Sequence, residues 1–351
     1  MSAHEGFEQN TVSELEYIYV QGLGFVPQSP LEIEKRNLRV YANIVGLAIL
    51  LCFFLQMQVP KLLKSVFTQI FPNVRYFNSH LMAPEWITQL ISALSFVICY
   101  SLAFGVCMAF FKIPRCVALP FRRPTGKMLL PAVFISLAVA SIGSFMYRIL
   151  SGMLWGIGLI SITQNYSIPL TPQGVLYALV SLCILPAFIG QCVFNGIILQ
   201  SLRRFGDAFA IVTSAVLLSI SGTHIVQMPS VFLMGIVIGY FVIRTGSLWT
   251  GIIINICNNI FAVSMFLLVP HITTGGMELI SLLSVIIFIV LGLIFTVVLS
   301  NKSDNLFYLN CPQFAISVRH RIKIFFTSPI MLVVIGLITV ISLSGLQRLP
   351  R

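Results

Sequence analysis

The chain has 351 residues, 58% of them hydrophobic and only 9% charged, with a net charge of +11. A soluble domain carries roughly 25% charged residues, so a water-facing surface is excluded and the surplus apolar area must face lipid. The basic excess, which in a soluble protein would point to nucleic acid, here fits basic loops that fix topology and touch anionic lipid.

Residues 1–39 are polar, with six Glu before Lys35. They do not read as a cleavable signal peptide and are expected to form an N-terminal cytoplasmic segment, so the first apolar run is expected to be both first span and targeting signal. Apolar runs follow at 40–59, 87–111, 128–150, 173–202, 208–226, 229–243, 247–269, 279–299 and 324–346. They predict an all-α polytopic bundle of about nine transmembrane helices over 40–346, with a tail at 347–351. No Asp or Glu falls inside any run. The run 229–243 is short, about 22 Å at helical rise, and needs a thin bilayer or shelter inside the bundle.

Local punctuation supports these cuts. Thr171-Pro172 reads as an N-cap followed by proline at the first helical position. Gly206 and Asp207 separate two runs, and Pro229 opens another. In Arg244-Thr245-Gly246-Ser247, Gly246 is the expected C-cap, Ser247 the next N-cap, and Trp249 an interfacial aromatic. The segment IPRCVALPFRRPTGK at 113–127 carries three Arg, one Lys and no acid. It is read as a plain cytoplasmic loop, with an amphipathic lipid-headgroup contact as the alternative. Cysteines at 52, 99, 107, 116, 183, 192, 257 and 311 contain no CxxC pair, so they read as small hydrophobes rather than a disulfide or zinc framework.

Alternating the spans places fifteen Lys and Arg on one side and six on the other. The asymmetry predicts a cytoplasmic N-terminus and an outside C-terminus. No internal repeat of the transporter kind is visible.

Strongly polar side chains inside spans are expensive and mark functional sites by default. They concentrate here in Gln191 and Asn195, in His224 and Gln227, and in Asn255, Asn258 and Asn259. Gln191 and Asn195 share a helical face, as do Asn255 and Asn259. Helical rise places Gln191 about 20 Å and Asn195 about 14 Å from Arg204, and His224 about 25 Å from Asp207. Asn255 and Asn259 fall about 12 and 18 Å from Ser247. The three helices are thus expected to aim their amides and imidazole into one belt. Pro186, just before Gly190-Gln191, is expected to free a carbonyl or bend its helix. The competing reading is interhelical glue, with each amide worth roughly 0.6–2 kcal/mol across helices and no activity needed.

The stretches PAFIGQCVFNGIILQSLRRFG, AIVTSAVLLSISGTHIVQ and FLMGIVIGYFVIRTGSLWTGIIINICNNI, roughly 174–262, carry a resemblance. Their order and spacing resemble the CPBP family of CAAX prenyl proteases and bacteriocin-processing or immunity-associated membrane proteins. That family shows Glu-Glu-x-x-x-Arg, then Phe-x-x-x-His, then His-x-x-x-Asn. The Gly-x-x-x-Gly-Tyr stretch and the Arg-Thr-Gly-Ser-Leu-Trp turn also fit. The resemblance implies a helical intramembrane endopeptidase in which Glu and His activate water and Asn assists the oxyanion, with zinc as the implied cofactor. It further implies a bacterial plasma membrane and a peptide, prenylated or leader-peptide substrate, or a membrane-protein partner.

At the family's chemical positions this chain departs. The Glu pair falls on Gly190 and Gln191, the Arg on Asn195, the Phe on Ile220 and the second His on Asn255, while His224 and Asn259 are retained. Water attack needs a base; glycine and a neutral amide cannot serve, leaving His224 and Asn259 as the catalytic candidates. One His with neutral amides is a poor Zn²⁺ site, since catalytic zinc takes about three His, Cys or carboxylate ligands. Ser219 and Ser221 lack a third partner for a Ser–His arrangement. The leading expectation is a pseudoprotease that binds a peptide, lipidated chain or membrane partner. The alternatives are an active protease using His224, Asn259 and Gln191 by an altered route, or a small-solute transporter or channel lined by the same amides.

Overall fold

The computed structural model describes residues 17–20, 24–27, 30–71, 74–77, 80–124, 126–161, 171–222, 224–302 and 316–348. Its helices are α1 (Pro30–Ile70), α2 (Glu85–Phe111), the single turn α3 (Arg115–Ala118), α4 (Gly126–Gly156) and α5 (Pro172–Phe205). They continue with α6 (Asp207–Ser221), α7 (Met228–Thr245), α8 (Leu248–Leu268), α9 (Thr274–Lys302), α10 (Val318–Phe326) and α11 (Pro329–Ser344). Three two-stranded pairings accompany them: β1 (Tyr17–Val20) with β2 (Gly24–Pro27), β3 (Arg75–Phe77) with β4 (His80–Met82), and β5 (Leu159–Ser161) with β6 (Leu346–Arg348). Cys311, the first 16 residues and the last three of the tail lie outside the described residues.

Each apolar run overlaps a helix, although 208–226 outlasts its helix and 324–346 spans the end of α10 and all of α11. Among the described residues seven helices are long and apolar enough to cross a membrane, and α10 with α11, bent by 72°, supplies an eighth crossing if counted as one. The 15-residue α6 is a shorter apolar helix. The chain is a multi-pass membrane helical bundle. Its outer surface agrees: on α9, Leu279, Leu282, Ile286, Val290 and Leu293 all stay exposed, as a lipid-facing flank should. The first helix departs most from its apolar run, with 41 residues and Pro60 inside it. At about 60 Å it exceeds the hydrocarbon thickness and must project beyond it.

The caps follow their residues. Thr171 accepts the Gly174 N–H at 3.1 Å ahead of Pro172. Gly246 closes α7 in the left-handed region at φ 59°, where glycine pays no Cβ penalty. Ser247 takes extended backbone ahead of α8, but its hydroxyl donates to the Arg122 carbonyl instead of capping its own helix.

That bond belongs to a larger difference from the expected plain loop. Between α2 and α4 the chain folds into the bundle. Pro120 accepts the Leu248 N–H at 2.9 Å. Phe121 stacks on Phe188 of α5 with ring centroids 6.0 Å apart and lies 5.7 Å from Trp249. Leu119 and the Ala118 carbonyl press against Gly196, where an added Cβ would come within 2.8 Å of Leu119.

Contacts between connections sort the helix ends into two sides. Arg321 on α10 bonds the Phe205 carbonyl, and Arg204 bonds Tyr41, so these ends share the side of the α2–α4 connection, here called the basic face. The β5–β6 pair joins the far ends of α4 and α11 on the opposite side. Between the two faces, α5 and α8 pack at the centre against α4, α6 and α7. The α6–α7 pair approaches closely at Gly235, whose added Cβ would lie 2.9 Å from the Ala215 backbone, the close crossing that small residues permit.

Candidate intramembrane polar site

Helix α5 is irregular where the polar residues sit. Two wide π segments, Leu179–Ile184 and Cys192–Ile198, interrupt it. The first precedes Pro186, which has no N–H to give the preceding turn. Wide turns of this kind appear mostly as single bulges, frequently at functional sites. The second segment contains Asn195, four residues on from Gln191. Asn195 Nδ2 donates to Gln191 Oε1 at 2.6 Å, with both side chains buried.

Two glycines of neighbouring helices wall this amide pair. A Cβ on Gly251 of α8 would lie 2.8 Å from Gln191 Oε1, and one on Gly239 of α7 would lie 3.3 Å from Asn195 Oδ1. The pair is therefore pressed against bare backbone, with 1% and 2% of its surface exposed, and no bulk water reaches it. Gly190 differs. It is buried, yet among the described residues an added Cβ would meet nothing within 4 Å. Room for a side chain is kept where the glycine stands.

The asparagines of α8 lie farther along. Asn259 Nδ2 donates to the Cys183 carbonyl at 3.3 Å, within the first wide segment of α5. Asn258 Nδ2 donates to Ser136 Oγ at 3.1 Å and to the Ile254 carbonyl at 2.9 Å, and its buried Oδ1 has no partner among the described residues. Asn255 is half-buried between these levels. Gln191 meets Gly251 and Cys183 meets Asn259, eight residues on along each helix. The polar groups thus form two layers about 12 Å apart at helical rise, not the single belt that spacing predicts.

His224 leaves the helix altogether. Helix α6 ends at Ser221, and His224 stands half-buried in the turn before α7, its carbonyl accepting the Gln227 and Met228 N–H groups. Among the described residues no hydrogen bond links its ring to Gln191, Asn195 or Asn259. Gln227 is exposed in the same turn. Ser219 and Ser221, the weak nucleophile candidates, both bond carbonyls three residues back in their own helix.

The carboxylates are placed elsewhere. Asp207 bonds Arg203 at 2.9 Å, and Glu34 lies 3.4 Å from Arg321, both at the basic face. Glu278 falls one residue ahead of its apolar run but inside α9. Among the described residues no three His, Cys, Asp or Glu gather as a metal-holding group. The donors at the site are neutral amides, one of them already held by a carbonyl, with a single imidazole. They do not fit a zinc centre.

Chemically, the site is a closed layer of neutral hydrogen bonds under an open space at Gly190. It can hold helices in register and accept a neutral polar group. Its bulges were not expected, although Pro186 signalled the first.

Residues 172–261, from the first turn of α5 to Phe261 of α8, match the family model described as type II CAAX prenyl endopeptidase Rce1-like. No curated protein and no solved structure matches the chain significantly.

Proposed function

We propose that this Rce1-like membrane protein, of the CPBP family, binds a peptide, lipidated chain or membrane partner without cleaving it. The observation that carries the reading is the sealed amide pair. Where the family places an acid and an arginine, Gln191 and Asn195 bond each other against Gly239 and Gly251. Cleavage by water needs a base within hydrogen-bond reach of that water. Gln191 cannot take a proton, and among the described residues no carboxylate is paired with His224 to orient it or to stabilise its cation.

The substitutions are mutually consistent. An unpaired Glu or Arg within a membrane costs about 2.5–3.5 kcal/mol at the centre, so losing acid and base together leaves a neutral, satisfied site. The basic face is assigned to the cytoplasm by its excess of Lys and Arg, which places the N-terminus inside and the C-terminus outside. Asn255, Asn259 and the space at Gly190 are assigned to partner contact.

The test uses the full chain in liposomes with prenylated and leader-type peptides. Binding without cleavage is expected. Efficient cleavage that disappears in His224→Ala would overturn the proposal in favour of an active protease with an altered route.

A further inference from the structure

A cavity lies away from the amide pair. Helices α4, α8 and α9 enclose a cleft of about 670 Å³, within the range of ligand-holding pockets. Phe261, Met265 and Val285 line its apolar wall, Ser141 and Asn258 its inner end, and Arg148 and Glu278 its rim. Helix α9 runs along α4 and meets α8 through Phe261 and Phe288, whose rings cross edge to face at 4.9 Å.

The rim has a defined depth. Arg148 is 22 residues beyond Gly126, about 33 Å at helical rise, which carries it from the basic face across a hydrocarbon layer of roughly 30 Å. Glu278 stands in the first turns of α9 on that same side. Both charges therefore sit at headgroup level above an apolar cleft. They are not ion-paired with each other among the described residues. Arg148 bonds Ser281 Oγ, which leaves most of the five guanidinium donors available.

We propose that this cleft holds one zwitterionic phospholipid of the phosphatidylethanolamine type. Its phosphate lies on Arg148, its ammonium on Glu278, and one acyl chain lies between α4, α8 and α9. The argument is charge complementarity. A cation and an anion on one rim suit a headgroup carrying both charges, and an anionic headgroup would meet repulsion from Glu278. The apolar wall below excludes a wholly polar zwitterion. This inference is independent of whether the amide site cleaves, binds or only packs.

The test is native mass spectrometry of the full chain in mild detergent, titrated with phosphatidylethanolamine or phosphatidylglycerol of equal chain length. Preferential retention of phosphatidylethanolamine is expected. Glu278→Gln should abolish the preference, and Arg148→Gln should weaken retention of both lipids about tenfold, the worth of one charged hydrogen bond. Ser284→Phe, which fills the cleft and keeps both charges, should displace the lipid from a folded protein. Equal retention of the two lipids by the unaltered chain would overturn the proposal. So would a preference that survives Glu278→Gln, or lipid retention that survives Ser284→Phe.

Discussion

Two glycines on either side of one glutamine set opposite expectations. Gly251→Ala drives a Cβ to 2.8 Å from Gln191 Oε1 and from Val242, and the overpacking should cost about 1–3 kcal/mol. Gly190→Ala meets open space and removes a helical glycine, so it should stabilise by roughly 0.5–1 kcal/mol. Thermal melts in detergent read both, and equal effects would contradict the described packing. The Gln191–Asn195 bond was legible as an i,i+4 spacing. Its glycine walls were not, because which residues face each other across α5, α7 and α8 depends on helix phase, and the wide segments of α5 shift that phase. His224 was misplaced for a simpler reason: the apolar run continues past Ser221, while the helix stops at Gly222.

At the scale of elements, the amphipathic α10 fastens the last span to the rest. Arg321 is buried, with Nε 2.9 Å from the Ile316 carbonyl and 3.4 Å from Glu34 on α1. Removing one partner of such a pair typically costs about 3–5 kcal/mol, because the other charge is left buried. Arg321→Met should therefore destabilise strongly, and adding Glu34→Leu should recover much of the loss. Chemical denaturation of the two variants separates this from a loss of the carbonyl bonds alone, which the second substitution would not rescue. Caps such as Thr171 and Gly246 were readable, since each states its own backbone need. The inward folding of Ala118–Phe121 was not. Four residues with Pro120 among them carry no periodicity, and their role appears only once Gly196, Phe188 and Trp249 are neighbours.

For the whole molecule, the count and order of apolar runs carried the architecture, because lipid leaves few alternatives to helices. Side assignment can be checked with a native reporter. Cys116 is exposed on the basic face, so, in a Cys311→Ser background, an impermeant maleimide should label it only in inverted vesicles or lysed cells. An Arg348→Cys variant should label from the outside of intact cells. The reverse pattern would invert the topology. The β5–β6 pair also sets a clock on assembly. Ser161 pairs with Leu346, which leaves the ribosome about 185 residues later, or roughly ten to forty seconds at bacterial-to-eukaryotic elongation rates. For that interval β5 has an unpaired edge, so the face opposite the basic one closes last, after every other span has been made.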